Sequence, residues 1–282
     1  MSDPTTTHAE TFAVNHARWE EVVSIHVASP FYRVKEFLAG EDILLPIESS
    51  EIGNLAGLSL IHLQCHFGLD TLCLARRGAK VTGLDFSQNA IAAARSLAAE
   101  AGIEAVFVEG NLYDAPRLIA ERFDRAYVSW GAIIWLPDIK GWARVVAAML
   151  KPGGELYLLE GHPFALTLDQ PNGDKSVECA ERPLHPTFDY FHGAKPFIFE
   201  ADTTYTGEET KLIHTRTHEF SHGVGEIITA LLEAGLTLTY FREHDSLAWS
   251  LWGIMEEGTD RMYRLPAGHP ALPLSVSLKA RK

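Results

Sequence analysis

LIHLQCHFGLDTLCLARRGAKVTGLDFS, residues 60–87, is the stretch from which the fold is read. An apolar run begins at Leu60, a short turn leads through Gly68 into a segment of helical spacing, and a second apolar run closes on Asp85. Near-continuous apolar strands belong to a parallel sheet covered on both faces. A strand, tight turn, helix and second strand ending in an acid form the nucleoside- or phosphate-binding half of such a sheet, where ligands sit at the carboxyl ends of the strands. Asp85 is therefore placed to accept hydrogen bonds from a ribose.

Outward from this unit, Ser87 can N-cap a helix that Gly102 closes, because its hydroxyl accepts an orphan backbone N–H. Strands follow at 104–109 and 123–129. A helix at 137–150 has Pro137 in its first turn and is stopped by Pro152-Gly-Gly, and a strand at 155–161 follows it. Strands and helices alternating in this way imply right-handed crossovers and a parallel sheet. Upstream, Phe12 to Leu38 carry apolar residues at helical spacing broken by Ser29-Pro30, so two helices meet there. Downstream, residues 164–220 break the rhythm, with Pro171, Pro183, Pro186 and Pro196 among two short extended runs, Phe197–Tyr205 and Lys211–His218. They read as an inserted hairpin capping the site. A helix from Gly223 to Gly235 and strands at 237–243 and 272–279 complete the chain.

These residues resemble the class I S-adenosylmethionine-dependent methyltransferases. The family's first loop reads acid-x-Gly-x-Gly-x-Gly, and counting back from Gly68 puts His66, Gln64 and His62 at its other three places. Val-Thr-Gly-Leu-Asp at 81–85 resembles the ribose-binding strand. Val-Glu-Gly-Asn at 108–111 resembles the adenine-contacting segment, with Asn111 where the family usually has Asp. Met149 to Glu160 (MLKPGGELYLLE) is the most specific match. The resemblance implies an α/β, Rossmann-like sheet of seven strands, mostly parallel with the last strand antiparallel, helices on both faces, N-terminal helices and the inserted cap. The expected organisation is one domain: tail and cap helices at 1–57, cofactor-binding core at 58–163, insertion at 164–220, and the rest of the sheet at 221–282. The implied cofactor is S-adenosyl-L-methionine, with S-adenosyl-L-homocysteine as product. It would be held by Gln64, Cys65, His66, Gly68, Asp85, Phe86, Ser87, Asn111, Leu112, Ser129, Trp130 and Gly131.

Composition narrows the partners. A net charge of −13 repels polyanions over most of the surface, which argues against nucleic acid, as does the absence of an Asp/Asn-Pro-Pro-aromatic motif after the fourth strand. An apolar fraction of 46% is ample for one large core. The three cysteines are odd in number, lack metal-ligand spacing and point to a reducing, cytoplasmic setting. No apolar leader or bilayer-length run is seen, so no membrane partner is expected. The thirteen histidines offer no metal site: His214 and His218 on one strand would lie roughly 13 Å apart. No sequence feature selects an oligomeric state.

Methyl transfer needs donor and acceptor held at attack distance, and a base is optional. His162 and Glu160, at the end of the fifth strand, are the candidate bases; His162 suits a hydroxyl, imidazole or carbon acid because its ordinary pKa lies near neutrality. His26, Tyr32, Trp135, Tyr190, His192 and Trp249 are candidate contacts to a small-molecule acceptor, since they lie in segments expected to cover the mouth or, for Trp135, to wall it. Two other readings remain: a binding or scaffolding protein whose glycine loop has degenerated, and an NAD-dependent oxidoreductase, which the missing Gly-x-Gly-x-x-Gly disfavours.

Overall fold

The computed structural model describes residues 8–169, 184–191, 193 and 195–282. Its chain begins with α1 (His8–Ala28), a single 3₁₀ turn (Pro30–Tyr32), α2 (Val34–Leu38) and α3 (Pro46–Glu51). The break falls at Ser29-Pro30, where the Ser29 hydroxyl accepts from Phe31 N–H at 3.1 Å. The alternating region follows as β1 (Ser59–Leu63), α4 (Leu69–Arg76), β2 (Lys80–Asp85), α5 (Gln88–Ala101), β3 (Val106–Glu109), α6 (Ala115–Leu118), β4 (Phe123–Ser129), α7 (Ile139–Met149) and β5 (Leu150–Gly161). After it come a hairpin of β6 (Phe197–Glu200) and β7 (Arg216–Glu219), then α8 (Val224–Glu233), β8 (Thr237–His244) and β9 (Ser275–Arg281).

The main sheet has seven strands in the order β8-β9-β5-β4-β1-β2-β3. β1 pairs in parallel with β2 and β4, and β9 alone runs antiparallel, between β5 and β8. Side-chain alternation along β1 feeds two cores. Ile61 and Leu63 pack with Trp142 and Met149 of α7, whereas Leu60 packs with Leu72 and Leu74 of α4 and Ile91 of α5. Helices therefore cover both faces, and the carboxyl edge between them is where the loops gather.

Boundaries move where side chains supply partners that the sequence alone does not reveal. Helix α7 starts at Ile139 rather than Pro137, because Asp138 Oδ1 accepts Gly141 N–H at 2.8 Å and becomes the N-cap. The hairpin strands are shorter than the extended runs suggest. Arg18 of α1 donates to the carbonyls of Ala201, Thr203 and His214, and past the ladder the two arms stay joined by Ala201 N–H to Thr215 C=O and Leu212 N–H to Asp202 C=O, each at 2.9 Å. Asn15 bonds both N–H and C=O of His218, and Glu21 accepts from Ile213 and His214 N–H. One stripe of α1, at positions 15, 18 and 21, thus clamps the hairpin into a roof above the sheet edge.

Candidate functional site

The loop from β1 to α4 passes through three left-handed residues: Gln64 at φ 59°, His66 at 51° and Gly68 at 74°. These are the three places where the resembling family carries glycine. A non-glycine residue in this region is strained by about 1–3 kcal/mol, and such strain gathers at ligand sites. Gly68 has a further constraint, because a Cβ there would lie 2.6 Å from the Phe107 ring and 2.8 Å from the Ala94 methyl. His62, at the family's acidic position, is buried and bonded to Thr71 Oγ1 at 2.8 Å, and burial pushes its imidazole down to about 3.

Asp85, closing β2, accepts His66 N–H at 2.8 Å on one oxygen and Ser87 N–H at 3.0 Å on the other. It is 7% exposed, and burial pushes it up to about 6 against the pull of those amides. Each carboxylate oxygen has two lone pairs, so both can take a further donor. Asp85 also lines a cavity of about 970 Å³ that runs along the carboxyl edge under α1 and the hairpin. A cavity of this size is at the upper end of the range for small-ligand pockets, roughly 300–1,000 Å³.

The cavity brings together Gln64, Cys65, His66, Gly68, Asp85, Phe86, Asn111, Leu112, Ser129, Trp130 and Gly131 with His26, Tyr32, Trp135 and Trp249. Asn111 Oδ1 accepts Tyr113 N–H at 3.0 Å, so this oxygen also shapes its own turn. Gln64 donates to Ala132 C=O at 2.8 Å, and its Oε1 is enclosed without a partner. Ser87 does not line the cavity. It N-caps α5 through Ala90 N–H, and its own N–H orients Asp85.

The two candidate bases lie elsewhere. Glu160 accepts the N–H groups of Gly131, Ala132 and Ile133 at 2.6, 2.6 and 2.9 Å, is 1% exposed, and does not border the cavity. Its carboxylate is consumed in holding the turn after β4, where Trp130 and Gly131 are both left-handed. His162 bonds Glu243 at 3.0 Å and accepts Phe164 N–H at 3.1 Å, also outside the cavity. Tyr190 is turned away too: its hydroxyl accepts Val224 N–H at 2.9 Å and its ring covers Gly223. His192 lies outside the described residues.

Several lining residues were not singled out from sequence. Trp19 stands edge-on to His66 and Trp135, with ring centroids 5.1 and 5.3 Å away. Glu48 accepts Leu45 N–H and the Trp130 indole N–H, and burial raises it to about 8. Asp70, in the first turn of α4, is raised to about 6 by burial, with the Arg261 guanidinium pulling the other way. The position of Asp70 two residues past Gly68 was the one usable signal; Glu48 and Arg261 arrive from loops that only tertiary packing brings here. Among the described residues no group of three or more His, Cys, Asp or Glu could hold a metal ion.

The fold and this edge define a Rossmann-like α/β protein with a large cavity at the carboxyl ends of its strands. The methyltransferase domain family matches residues 61–154. A ubiquinone biosynthesis O-methyltransferase of Salmonella arizonae is 30% identical over 163 residues, covering 57% of this chain and 64% of that one. The counterpart from Cronobacter sakazakii is 29% identical, with 57% and 63% covered. The chain thus spans a little under two thirds of these curated relatives' length. Among solved structures, an S-adenosylmethionine-dependent methyltransferase from Mesorhizobium loti superposes with a TM-score of 0.57 at 22% identity, covering 87% of this chain and 100% of that one. One from Methanosarcina mazei gives 0.53 at 20%, with 85% and 98% covered. The chain shares the fold of S-adenosylmethionine-dependent methyltransferases, and its residues 61–154 match the methyltransferase domain family.

Proposed function

We propose that the protein binds S-adenosylmethionine along the carboxyl edge and methylates a small-molecule acceptor, at O, N or C, enclosed beneath α1 and the hairpin. The observation that carries this reading is the left-handed loop at 64, 66 and 68, hydrogen-bonded to Asp85 through His66 N–H and lining one large cavity with it. The residues present fit the cofactor. Asp85 has lone pairs free for the ribose hydroxyls, Phe86 and Leu112 line the cavity and would pack against the adenine, and Asn111 can bond its edge. Gln64 Oε1 is a desolvated acceptor that a donor on a bound ligand would satisfy. When bound, the sulfonium supplies an electrophilic methyl group.

The protein's part is to position and to exclude water. Enclosure under the roof supports a proximity contribution of roughly 7–11 kcal/mol. Trp130, Trp135 and Trp249 line the same space, and aromatic faces attract a sulfonium. The names of the relatives favour a hydroxyl acceptor, the net charge disfavours nucleic acid, and no described helix is long and apolar enough to cross a membrane. A cytoplasmic enzyme fits these features.

Calorimetry with S-adenosylmethionine and S-adenosylhomocysteine tests the reading. Binding is expected, and Asp85→Ala should weaken it about 100-fold with an unchanged circular dichroism spectrum, since hydrogen bonds to a charged acceptor contribute about 1.5–3 kcal/mol each. Unchanged affinity in the variant would place the nucleoside elsewhere. No binding to the parent protein at millimolar cofactor would favour a scaffold.

A further inference from the structure

His66 does more than fill a glycine position. Its Nε2 lies 2.9 Å from Nδ1 of His26, and His26 Nε2 lies 2.6 Å from Thr204 Oγ1. The Tyr32 hydroxyl stands 3.5 Å from the same His26 Nδ1 and is joined to the Tyr205 hydroxyl. The cofactor loop, α1 and the hairpin roof thus meet in one hydrogen-bonded chain whose members all line the cavity.

A neutral imidazole carries one donor and one acceptor, so the His66–His26–Thr204 chain has two proton arrangements that interconvert as a set. In one, His66 donates to His26 and leaves its own Nδ1 bare. In the other, Thr204 donates inward. Burial keeps both rings neutral: His26 is pushed down to about 4, with Glu208 raising it and Arg18 lowering it, and His66 is lowered by burial and by His26. The surroundings are aromatic. Trp19 is edge-on to both imidazoles and to Trp135, and Tyr32 is edge-on to Phe67 at 4.8 Å.

We propose that His66 and His26 are the proton-accepting pair for a hydroxyl borne by a planar aromatic acceptor, a proposal that rests on the methyltransferase reading above. The acceptor oxygen bonds to the donor's methyl carbon as the C–S bond breaks, the electron pair stays on sulfur, and the O–H proton passes to the bare imidazole nitrogen. The products are an aryl methyl ether, a thioether and an imidazolium, which passes its proton along His26 to Thr204. A weakly basic pair suffices because an oxygen gaining a methyl group becomes strongly acidic as the bond forms.

The test measures S-adenosylhomocysteine formation with catechol and with the more acidic 4-nitrophenol, from about pH 6 to 9, in the parent protein, His66→Asn and His26→Gln. Asn tolerates the left-handed backbone at 66. The parent should methylate catechol with little pH dependence. Each variant should lose about 10²- to 10⁴-fold on catechol at neutral pH, recover roughly tenfold per pH unit, and lose far less on 4-nitrophenol, which ionises unaided. Affinity for S-adenosylhomocysteine should stay unchanged in His26→Gln. Equal, pH-flat losses on both phenols, a parallel loss of that affinity, or no turnover of either phenol by the parent would overturn the assignment. Failure of the parent to bind S-adenosylhomocysteine would instead sink the methyltransferase reading itself.

Discussion

Asp85 at the end of β2 and Glu160 at the end of β5 are both buried strand-end carboxyls that accept backbone N–H groups, and burial pushes them up to about 6 and about 7. Asp85 accepts two amides and faces the cavity; Glu160 accepts three and faces a turn. A shifted acidity is thus shared by a group that faces the cavity and one that holds a turn. What separates them is access: whether lone pairs remain that a ligand can reach.

The largest expected effect comes from breaking the structural member. Glu160→Ala leaves three enclosed amides without an acceptor, and each such loss costs about 1–3 kcal/mol, so urea unfolding should show a destabilisation of about 4 kcal/mol. Cofactor affinity of the folded fraction should stay within about threefold. A variant that folds normally but loses affinity would merge the two carboxyls into one site. Gly68→Ala comes next, because its Cβ would press on Phe107 and Ala94 at a left-handed φ. We expect about 2–3 kcal/mol of destabilisation in the same assay, since overpacking alone costs about 1–3 kcal/mol; a neutral effect would mean that the loop can relax away from the sheet.

The sequence resolves the cavity-facing member of this pair better than the turn-holding one, for a physical reason. Period and punctuation place β2, the Ser87 cap and Gly68, and a strand ending in an acid at a carboxyl edge is a local pattern. Spacing back from Gly68 also locates Gln64 and His66, whose backbone angles match the glycine places they fill. The direction of the Glu160 side chain is not local. It depends on Gly131, Ala132 and Ile133, almost thirty residues earlier, presenting three amides together. The His66–His26 contact likewise needs α1 to be held over the loop, which Asn15, Arg18 and Glu21 accomplish through a hairpin some two hundred residues away in the chain.

Acidity sharpens the comparison further. In the proposed complex ribose hydroxyls donate to the charged form of Asp85, so bound cofactor should lower a pKa that stands at about 6 when the site is free. Cofactor affinity should be flat above about pH 7 and fall on acidification through 6, approaching tenfold per unit. Calorimetry in buffers of different ionisation enthalpy should record proton release near pH 6. Affinity that rises on acidification would mean that a protonated carboxyl donates to the ligand.

The smallest effect belongs to His162, and it tests the access criterion most directly. Its Nδ1 accepts Phe164 N–H, so Nε2 carries the proton and donates to the half-exposed Glu243; neither nitrogen is left for an acceptor. Burial lowers its pKa while Glu243 raises it, which gives His162 the perturbed character often taken to mark a catalytic base. Yet it stands outside the cavity. His162→Gln should therefore lower stability by about 1 kcal/mol and leave cofactor affinity and catechol turnover within about twofold. A 100-fold fall in turnover at unchanged affinity would show that the ring swings into the cavity during the reaction, and lone pairs counted in the resting structure would then no longer separate binding groups from structural ones.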